Sequence, residues 1–307
     1  MFKTYKRTVE KHIILKYIEE CLSQYHKVIH EMDTKYFKKL GRRVPILGMG
    51  TWGIGGGMDI DKSYDKIWVS ALKKGLELGL TLLDTAEIYG AGHSEELIGE
   101  AISGFPREEI FLVSKVWPSH AGREDIVKAA KASCRRLGTY IDLYLLHWPT
   151  PDIPLSEIME GMEKILEIGL IRHIGVSNFE VNQIEEAKYC LSKFDLVAVQ
   201  NKCSLIHRRY EQDVIPYTEK EDMMFMAYTP LGKGTLAKNV HLARIGSKYR
   251  KTAAQVALNW LMYMKPVIPI PKAVQIKHIE EDSGAICWSL DRRDWESISK
   301  IFPLNIG

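Results

Sequence analysis

The stretch LLDTAEIYG, residues 82–90, begins as a short apolar β-strand and ends in polar residues. Three later segments follow the same pattern: LVSKVW at 112–117, IDLYLLHW at 141–148 and GVSNF at 175–179. Each places a polar residue or pair at the carboxyl end of an apolar run that is typical of a buried strand. The four segments therefore predict parallel strands whose carboxyl ends meet at one face.

Around these segments, strand patterns and helix patterns alternate along the chain. The predicted strands are Ile46–Met49, Thr81–Asp84, Ile110–Ser114, Ile141–Leu146, His173–Val176, Leu196–Gln200, Met223–Ala227 and Val267–Pro269. The predicted helices are Asp65–Leu78, Ser94–Ile102, Arg123–Leu137, Leu155–Ile168, Glu180–Leu191, Glu211–Glu221 and Thr252–Met264, with one more near Ile276–Ala285. Strands that alternate with helices in this way predict an α/β fold, a closed (β/α)₈ TIM barrel.

The residues before the barrel divide into two parts. Residues 1–31 are predicted to be an extension that is either helical or not native, because apolar side chains recur there at helical spacing and Met32 stands where translation could start. Residues 32–307 are predicted to be the barrel domain. Within it, Tyr36–Pro45 has the pattern of two short strands around a glycine turn.

Composition limits the classes of function. The chain has 307 residues, a formal net charge of +3 with both signs interspersed, and apolar runs far shorter than the roughly 20 residues of a membrane span. We therefore expect neither nucleic-acid nor membrane partners. The five cysteines lack metal-type spacing, and their odd number argues against a disulfide framework, so we expect a cytoplasmic protein without a metal.

Four residues near the strand ends suit the reduction of a carbonyl group. Tyr89 could donate a proton, although a free tyrosine, with a pKa of about 10, is a poor acid near neutrality. A neighbouring Lys115 would stabilise the tyrosinate and lower that pKa. Asp84 would hold Lys115 charged and in place, and His147 would orient the carbonyl oxygen.

With these motifs in order, the chain from about Tyr36 to about Leu290 resembles the aldo-keto reductase family. The resemblance implies a barrel whose floor is closed by the N-terminal β-hairpin. It also implies the roles just given to Asp84, Tyr89, Lys115 and His147. The expected activity is reduction of aldehydes or ketones by hydride transfer from NADPH. The expected partner is a small carbonyl substrate, and the expected state is a monomer or a weak homo-oligomer.

The resemblance also implies a set of nicotinamide contacts. Ser177, Asn178 and Gln200 would hydrogen-bond the carboxamide, since amide side chains offer both a donor and an acceptor. Tyr228 would stack on the ring. Further cofactor contacts are implied for the loop before the first helix, for the loop after Tyr228 and for the last strand and its helix: Thr51, Leu231, Gly232, Lys272, Ala273, His278, Glu281 and Asp282.

Three positions depart from the family's common pattern at the adenosine end of the cofactor. Ala273 replaces a frequent serine, His278 a frequent arginine and Asp282 a frequent asparagine. A neutral histidine is a weaker phosphate partner than an always-charged arginine. NADPH is therefore expected, with NADH as an alternative cofactor.

The glycine motif GMGTWG at 48–53 matches a dinucleotide fingerprint, but more glycines follow it where that fingerprint requires a helix. We interpret it as the first loop at the barrel mouth. The loop after His147 and the tail after Leu290 are short, which favours an open apolar pocket. Its predicted lining consists of Trp52, Trp117 and Trp148.

Two other classes of function fit part of this pattern. A metal-dependent hydrolase is disfavoured because such sites usually need three protein ligands and the strand ends offer one histidine. A slow, cofactor-binding regulatory or redox-sensing relative is the alternative, and the four matching residues (Asp84, Tyr89, Lys115 and His147) argue against it.

Overall fold

The fold is an eight-stranded parallel barrel surrounded by helices, in a computed structural model that describes residues 34–272 and 274–304. The predicted extension at 1–31 and Ala273 lie outside the described residues. The barrel strands are β3 (Gly48–Gly50), β4 (Leu82–Asp84), β5 (Phe111–Val116), β6 (Ile141–Leu146), β7 (Ile171–Ser177), β8 (Leu196–Lys202), β9 (Met224–Tyr228) and β10 (Val267–Ile270). They pair in sequence order and in parallel, which confirms the predicted fold class.

Helices follow the strands and pack outside them. Their bounds are α1 (Asp65–Glu77), α2 (His93–Ile102), α3 (Asp125–Leu137), α4 (Leu155–Glu167), α5 (Val181–Cys190), α6 (Val214–Lys220), α7 (Val240–Ser247), α8 (Ala253–Met262), α9 (Ile276–Ser283) and α10 (Arg292–Ile301). In the described ranges, none of the helices is both long and apolar enough to cross a membrane.

Glycines allow the barrel to close. Gly50 forms a parallel bridge with Lys272, and its N–H donates to the Pro271 carbonyl oxygen at 2.8 Å. A Cβ atom at Gly50 would lie only 2.9 Å from the Ile270 carbonyl oxygen, and one at Gly48 would meet the Leu82 side chain. The two glycines of the GMG run therefore let β3 approach both neighbouring strands, a packing role rather than a fingerprint for phosphate.

The hairpin of β1 (Thr34–Phe37) and β2 (Arg42–Pro45) closes the end of the barrel where the strands begin. Phe37, Leu40 and Val44 join the apolar cluster inside the barrel. The Lys35 ammonium donates to three carbonyl oxygens at 2.7 Å each: Met262 at the end of α8, Met264 just after it, and Val267 on β10. The hairpin is thus both packed and hydrogen-bonded to the barrel, as the resemblance implies.

Several boundaries differ from the sequence predictions. The strand expected at Ile46–Met49 lies at Gly48–Gly50, and the helix expected at Glu211–Glu221 begins only at Val214. Pro216 lies in the first turn of that helix, where a proline is tolerated, so the helix cannot extend far before it. Helices α7 and α10 were not predicted. Each begins after a side-chain cap, Asn239 or Asp291.

Candidate active site

At the carboxyl end of the strands, Asp84, Tyr89, Lys115 and His147 come together; we call these four residues the tetrad. Lys115 is fully buried, and its ammonium donates to both carboxylate oxygens of Asp84 at 2.9 Å and to the Thr85 carbonyl oxygen at 2.7 Å. The Tyr89 hydroxyl lies 3.4 Å from the same nitrogen. Because strands β4 and β5 are neighbours in the barrel, residues 31 positions apart meet there.

Burial and charge pairing together determine the protonation states of the lysine and the tyrosine. Burial alone would lower the pKa of Lys115, but Asp84 and Tyr89 raise it above its usual value, so the ammonium persists. For Tyr89, burial raises the pKa, Lys115 lowers it and Asp84 raises it. The net pKa of Tyr89 lies above its usual value. The effect expected of Lys115 is present, and burial outweighs it.

His147 follows β6 and is neutral. Burial, followed by the nearby Lys115 charge, lowers its pKa to about 2. Its buried Nδ1 atom has no hydrogen-bond partner among the described residues. The ring centroid lies 5.8 Å from that of Tyr89. A neutral imidazole carries one N–H donor, which it can offer to a carbonyl oxygen.

The residues predicted to bind an amide also come together. Asn178, with a left-handed φ of 63°, donates from Nδ2 to the His147 carbonyl oxygen at 2.9 Å and to Ser177 Oγ at 3.0 Å. The Tyr228 hydroxyl donates to Asn178 Oδ1 at 2.8 Å. Gln200 donates to Asp84 Oδ1 at 2.7 Å, which links this group to the tetrad. The ends of β7, β8 and β9 thus form a polar wall beside the tetrad.

Thr51 lies against the Asp84 backbone and is fully buried. Its hydroxyl donates to the Asp84 carbonyl oxygen at 3.0 Å and accepts from Ser94 Oγ at 3.0 Å. Thr85 in turn donates to Ser94 at 3.1 Å. This chain of hydroxyl groups ties the first loop and α2 to the end of β4.

The predicted adenosine residues lie on β10 and α9, apart from the undescribed Ala273. Lys272 extends over the first loop, where its ammonium is 3.6 Å from the position of a Cβ atom on Gly53. His278 is exposed and lies 3.8 Å from the Glu281 carboxylate. Asp282 is buried, and burial followed by Glu281 raises its pKa to about 8. A cation and a protonated carboxyl group are therefore both present along this edge.

The tryptophans surround the tetrad unequally. Trp52 is 48% exposed and contacts Tyr89 edge-to-face with a centroid separation of 5.0 Å. Trp117 contacts His147 in the same manner at 5.3 Å. Trp148 is exposed, next in the chain to His147. Two of the three predicted lining residues therefore touch the tetrad directly.

The loop after Tyr228 is strained. Gly232 has a left-handed φ, and a Cβ atom there would lie 2.5 Å from the Ile206 side chain. Leu231 is half-buried against the core. Thr229 also has a left-handed φ, of 55°. A β-branched residue seldom adopts that conformation, so packing around the loop must maintain it.

A second strained turn follows Tyr89. Gly90, Ala91 and Gly92 are all left-handed, with φ of 54°, 50° and 95°. Ala91 pays roughly 1–2 kcal/mol for this conformation. The Gly90 N–H donates to the Gly57 carbonyl oxygen at 2.7 Å. The position of Tyr89 therefore depends on contact with the glycine-rich first loop.

Sequence reasoning missed one carboxylate of this region. Glu87 is nearly buried, and its Oε1 accepts from the Trp117 backbone N–H at 2.7 Å and lies 3.0 Å from His120 Nδ1. It lies inside the stretch LLDTAEIYG, between Asp84 and Tyr89. Its place between two predicted site residues is the sequence signal that could have identified Glu87.

These residues fit a nicotinamide dinucleotide. Asn178 and Gln200 supply amide groups beside the tetrad, and Tyr228 supplies an aromatic ring at the same wall. Gly53 in the first loop has no side chain, and the Lys272 ammonium lies next to the space that a side chain there would take. Among residues 34–272 and 274–304, no group of three or more His, Cys, Asp or Glu could hold a metal ion.

Comparison with known proteins agrees with this geometry. The model of the Aldo/keto reductase family matches residues 46–302. Methylglyoxal reductase YeaE of Escherichia coli K12 is 38% identical over 270 residues, covering 86% of this chain and 93% of that protein. Glyoxal reductase of Bacillus subtilis is 32% identical, covering 85% and 90%.

A solved structure agrees as well. The aldo/keto reductase of Klebsiella pneumoniae in complex with NADP and acetate superimposes with a TM-score of 0.82 at 34% identity, covering 90% of this chain and 97% of that one. The chain described here belongs to the aldo/keto reductase family.

Proposed function

We propose that this protein reduces aldehydes and small ketones to alcohols with NADPH. The observation that carries the proposal is the approach of the Lys115 ammonium to the Tyr89 hydroxyl, at 3.4 Å, in a buried site. A hydroxyl group held next to a permanent cation is a proton donor whose conjugate base is stabilised. The NADP complex of the Klebsiella relative supports the choice of cofactor.

Each member of the tetrad has a separate task in this proposal. When bound, NADPH supplies the hydride for the carbonyl carbon. Tyr89 gives its proton to the carbonyl oxygen, and Lys115 stabilises the tyrosinate that remains. Asp84 keeps Lys115 charged and fixed. His147, neutral at working pH, donates a hydrogen bond that orients the carbonyl oxygen before the transfer.

In this proposal the polar wall at the ends of β7, β8 and β9 binds the nicotinamide, and residues after β10 and on α9 bind the adenosine end of the cofactor. Asn178, Gln200 and Ser177 would hold the carboxamide, and Tyr228 would pack against the ring. Lys272 would meet a phosphate at the adenosine end, with His278 and Asp282 beside it. Leu231, Gly232 and Thr51 would shape the backbone around the cofactor.

Small dicarbonyl compounds are the proposed substrate class. The two named relatives reduce methylglyoxal and glyoxal, according to their names. Trp52 and Trp117 contact Tyr89 and His147 edge-to-face, so these aromatic rings would line the space around a small carbonyl compound. Trp148 extends the same apolar rim.

We further propose that the protein is a cytoplasmic monomer or weak homo-oligomer, in which residues 32–307 form the catalytic barrel and residues 1–31 are dispensable. The family match beginning at residue 46 supports this division. A protein beginning at Met32 should keep its elution volume, melting temperature and turnover. A clear loss in any of the three would contradict the division.

The activity is tested with purified protein, methylglyoxal and NADPH, by following the loss of NADPH absorbance. Tyr89→Phe should keep cofactor affinity, measured by quenching of protein fluorescence, and should lose about 10²–10⁴-fold in turnover, the usual contribution of a general acid. A variant that keeps more than about a tenth of the wild-type rate would exclude Tyr89 as the proton donor.

A further inference from the structure

His93, the first residue of α2, has a carboxylate at each ring nitrogen. Nδ1 lies 2.7 Å from Glu96 Oε2, and Nε2 lies 3.0 and 3.1 Å from the two carboxylate oxygens of Asp65. A neutral imidazole has one N–H and would turn a lone pair toward one of these carboxylates. Donation to both requires the imidazolium form, in a side chain that is 7% exposed.

The imidazolium of His93 lies at the amino end of α2, where the helix dipole disfavours a positive charge. On α3, Arg136 adds a further positive charge near Gly92, although the buried Glu95 pairs with it at 2.6 Å. The two carboxylates that face His93 provide the compensation. Burial lowers the pKa of His93, but the hydrogen bonds to Glu96 and Asp65 outweigh it and raise the pKa above its usual value.

The histidine contacts the loop that covers the turn after Tyr89. A Cβ atom at Gly55 would lie 3.3 Å from the His93 ring and 2.8 Å from the Ser94 backbone nitrogen. On its other side, the Gly55 carbonyl oxygen would lie 2.2 Å from a Cβ atom at Gly90. Backbone atoms therefore touch in series from His93 through Gly55 to Gly90, the residue that follows Tyr89.

Asp65, the second partner of His93, lies on a different helix from His93 and Glu96. It is the first residue of α1, so its bond to His93 joins the start of α1 to the start of α2. The glycine loop, residues 53–57, precedes both helix starts in sequence, and the N–H of Asp61 donates to its Gly55 carbonyl oxygen at 2.8 Å. Among the described residues, the His93–Asp65 pair is the ion pair that joins the starts of α1 and α2. Loss of the His93 charge would weaken it.

We propose that His93, bridging Asp65 and Glu96, is a positioning residue that holds the left-handed turn and hence the Tyr89 hydroxyl in place for proton transfer. The inference rests on the proposed function, since it needs Tyr89 to be the donor. It makes turnover sensitive to the charge of a residue that touches neither substrate nor cofactor. Turnover should fall as pH rises through the pKa of His93, before Tyr89 itself loses its proton.

The test compares two aspartates at equivalent helix positions. Asp65 and Asp125 each begin a 13-residue helix, but only Asp65 contacts His93, whereas Asp125 pairs with the exposed Lys128. Turnover is measured against pH for Asp65→Asn, His93→Ala and Asp125→Asn, under conditions where deuterated NADPH shows that hydride transfer limits the rate. The titration of His93 is followed by NMR of its ring nitrogens.

The expected result separates positioning from mere stability. His93→Ala should lower turnover about tenfold, as for a small displacement of a reacting group, with the NADPH dissociation constant unchanged. Asp65→Asn should lower the pKa of His93 and move the fall in turnover to lower pH by the same interval. Asp125→Asn should match the wild-type protein in both.

Two results would overturn the inference: wild-type turnover in His93→Ala, or an Asp65→Asn profile that stays in place while the His93 pKa moves. Tyr89→Phe, assayed alongside, keeps the two proposals distinct. If Tyr89→Phe is inactive and His93→Ala is fully active, the inference about His93 fails alone. If Tyr89→Phe is active, the proposed function itself fails.

Discussion

Lys115 donates to both carboxylate oxygens of Asp84, at 2.9 Å each, in a site where the lysine is fully buried and the aspartate is 3% exposed. A buried ammonium survives only with such compensation. The pair therefore has two effects that can be separated. It maintains the charge beside Tyr89, and it stabilises the fold only as long as both partners are present.

The variant Lys115→Met should be nearly inactive and less stable. Tyr89 donates only while protonated, so the rate falls as pH rises through its pKa. Lys115 lowers that pKa, so its removal should move the fall to higher pH. Breaking a buried pair costs about 3–5 kcal/mol because one charge is left unpaired. Rate–pH profiles and denaturant unfolding measure the two effects.

The double variant Asp84→Asn/Lys115→Met provides the control. It removes both charges, so it should regain most of the lost stability and none of the activity. If the single variant showed the wild-type rate and pH dependence, Lys115 and Tyr89 would not be coupled.

Lys272 should favour NADPH over NADH. The Lys272→Ala variant removes a cation that would meet the extra 2′-phosphate, so the loss of affinity should be larger for NADPH. His278→Arg should act in the opposite direction, because a guanidinium is always charged and can bind phosphate bidentately. Fluorescence titration gives both dissociation constants, and equal losses for the two cofactors would exclude this role for Lys272.

Asp282 should make the protein less stable as pH rises. Its pKa is raised to about 8 in the folded protein, against about 3.9 in an unfolded chain. Between these values the folded state retains a proton that the unfolded state has lost, so stability is full below about pH 4 and declines up to about pH 8.

The variant Asp282→Asn should abolish that decline. It should melt at a higher temperature than the wild-type protein at pH 8, with a smaller difference at pH 5, when no cofactor is present. The exposed Asp125→Asn variant serves as the control. Equal differences at the two pH values would mean that Asp282 is charged in the folded protein.

The meeting of Asp84, Lys115 and His147 was predictable because strand periodicity brings them to one end of the barrel, whereas Tyr89 lies in the loop after β4 and was singled out with the help of the family resemblance. Asp84, Lys115 and His147 lie at or next to strand ends, and parallel strands align those ends. The contacts of His93 and Glu87 were not predictable in this way. They depend on residues 28 and 30 positions away, on other elements, and no local pattern specifies such pairs.

The hydrogen bonds of Thr51 were also not predictable from the sequence. Its place in the first loop was foreseen, whereas its hydrogen bonds to Asp84 and Ser94 follow from how α2 packs on that loop. The sequence therefore predicted which residues surround the site. It did not predict which of them hold the others in place.

Glu87 should restrict the size of the substrate. Its carboxylate accepts from the Trp117 N–H at 2.7 Å, and the ring of that tryptophan lies edge-on to His147 with centroids 5.3 Å apart. In Glu87→Ala the N–H loses its partner, which typically costs about 1–3 kcal/mol, and the ring is free to move. Glu87→Gln keeps an oxygen acceptor and serves as the matched variant.

We expect Glu87→Ala to raise the KM for methylglyoxal several-fold while the KM for a bulky aromatic aldehyde stays level or falls. The ratio of the two kcat/KM values should therefore shift by about tenfold toward the larger substrate, a difference of about 1.4 kcal/mol. Glu87→Gln should lie close to the wild-type ratio because the bond to Trp117 persists. If Glu87→Ala lowered kcat/KM equally for both substrates, the carboxylate would stabilise the loop without selecting what enters the pocket.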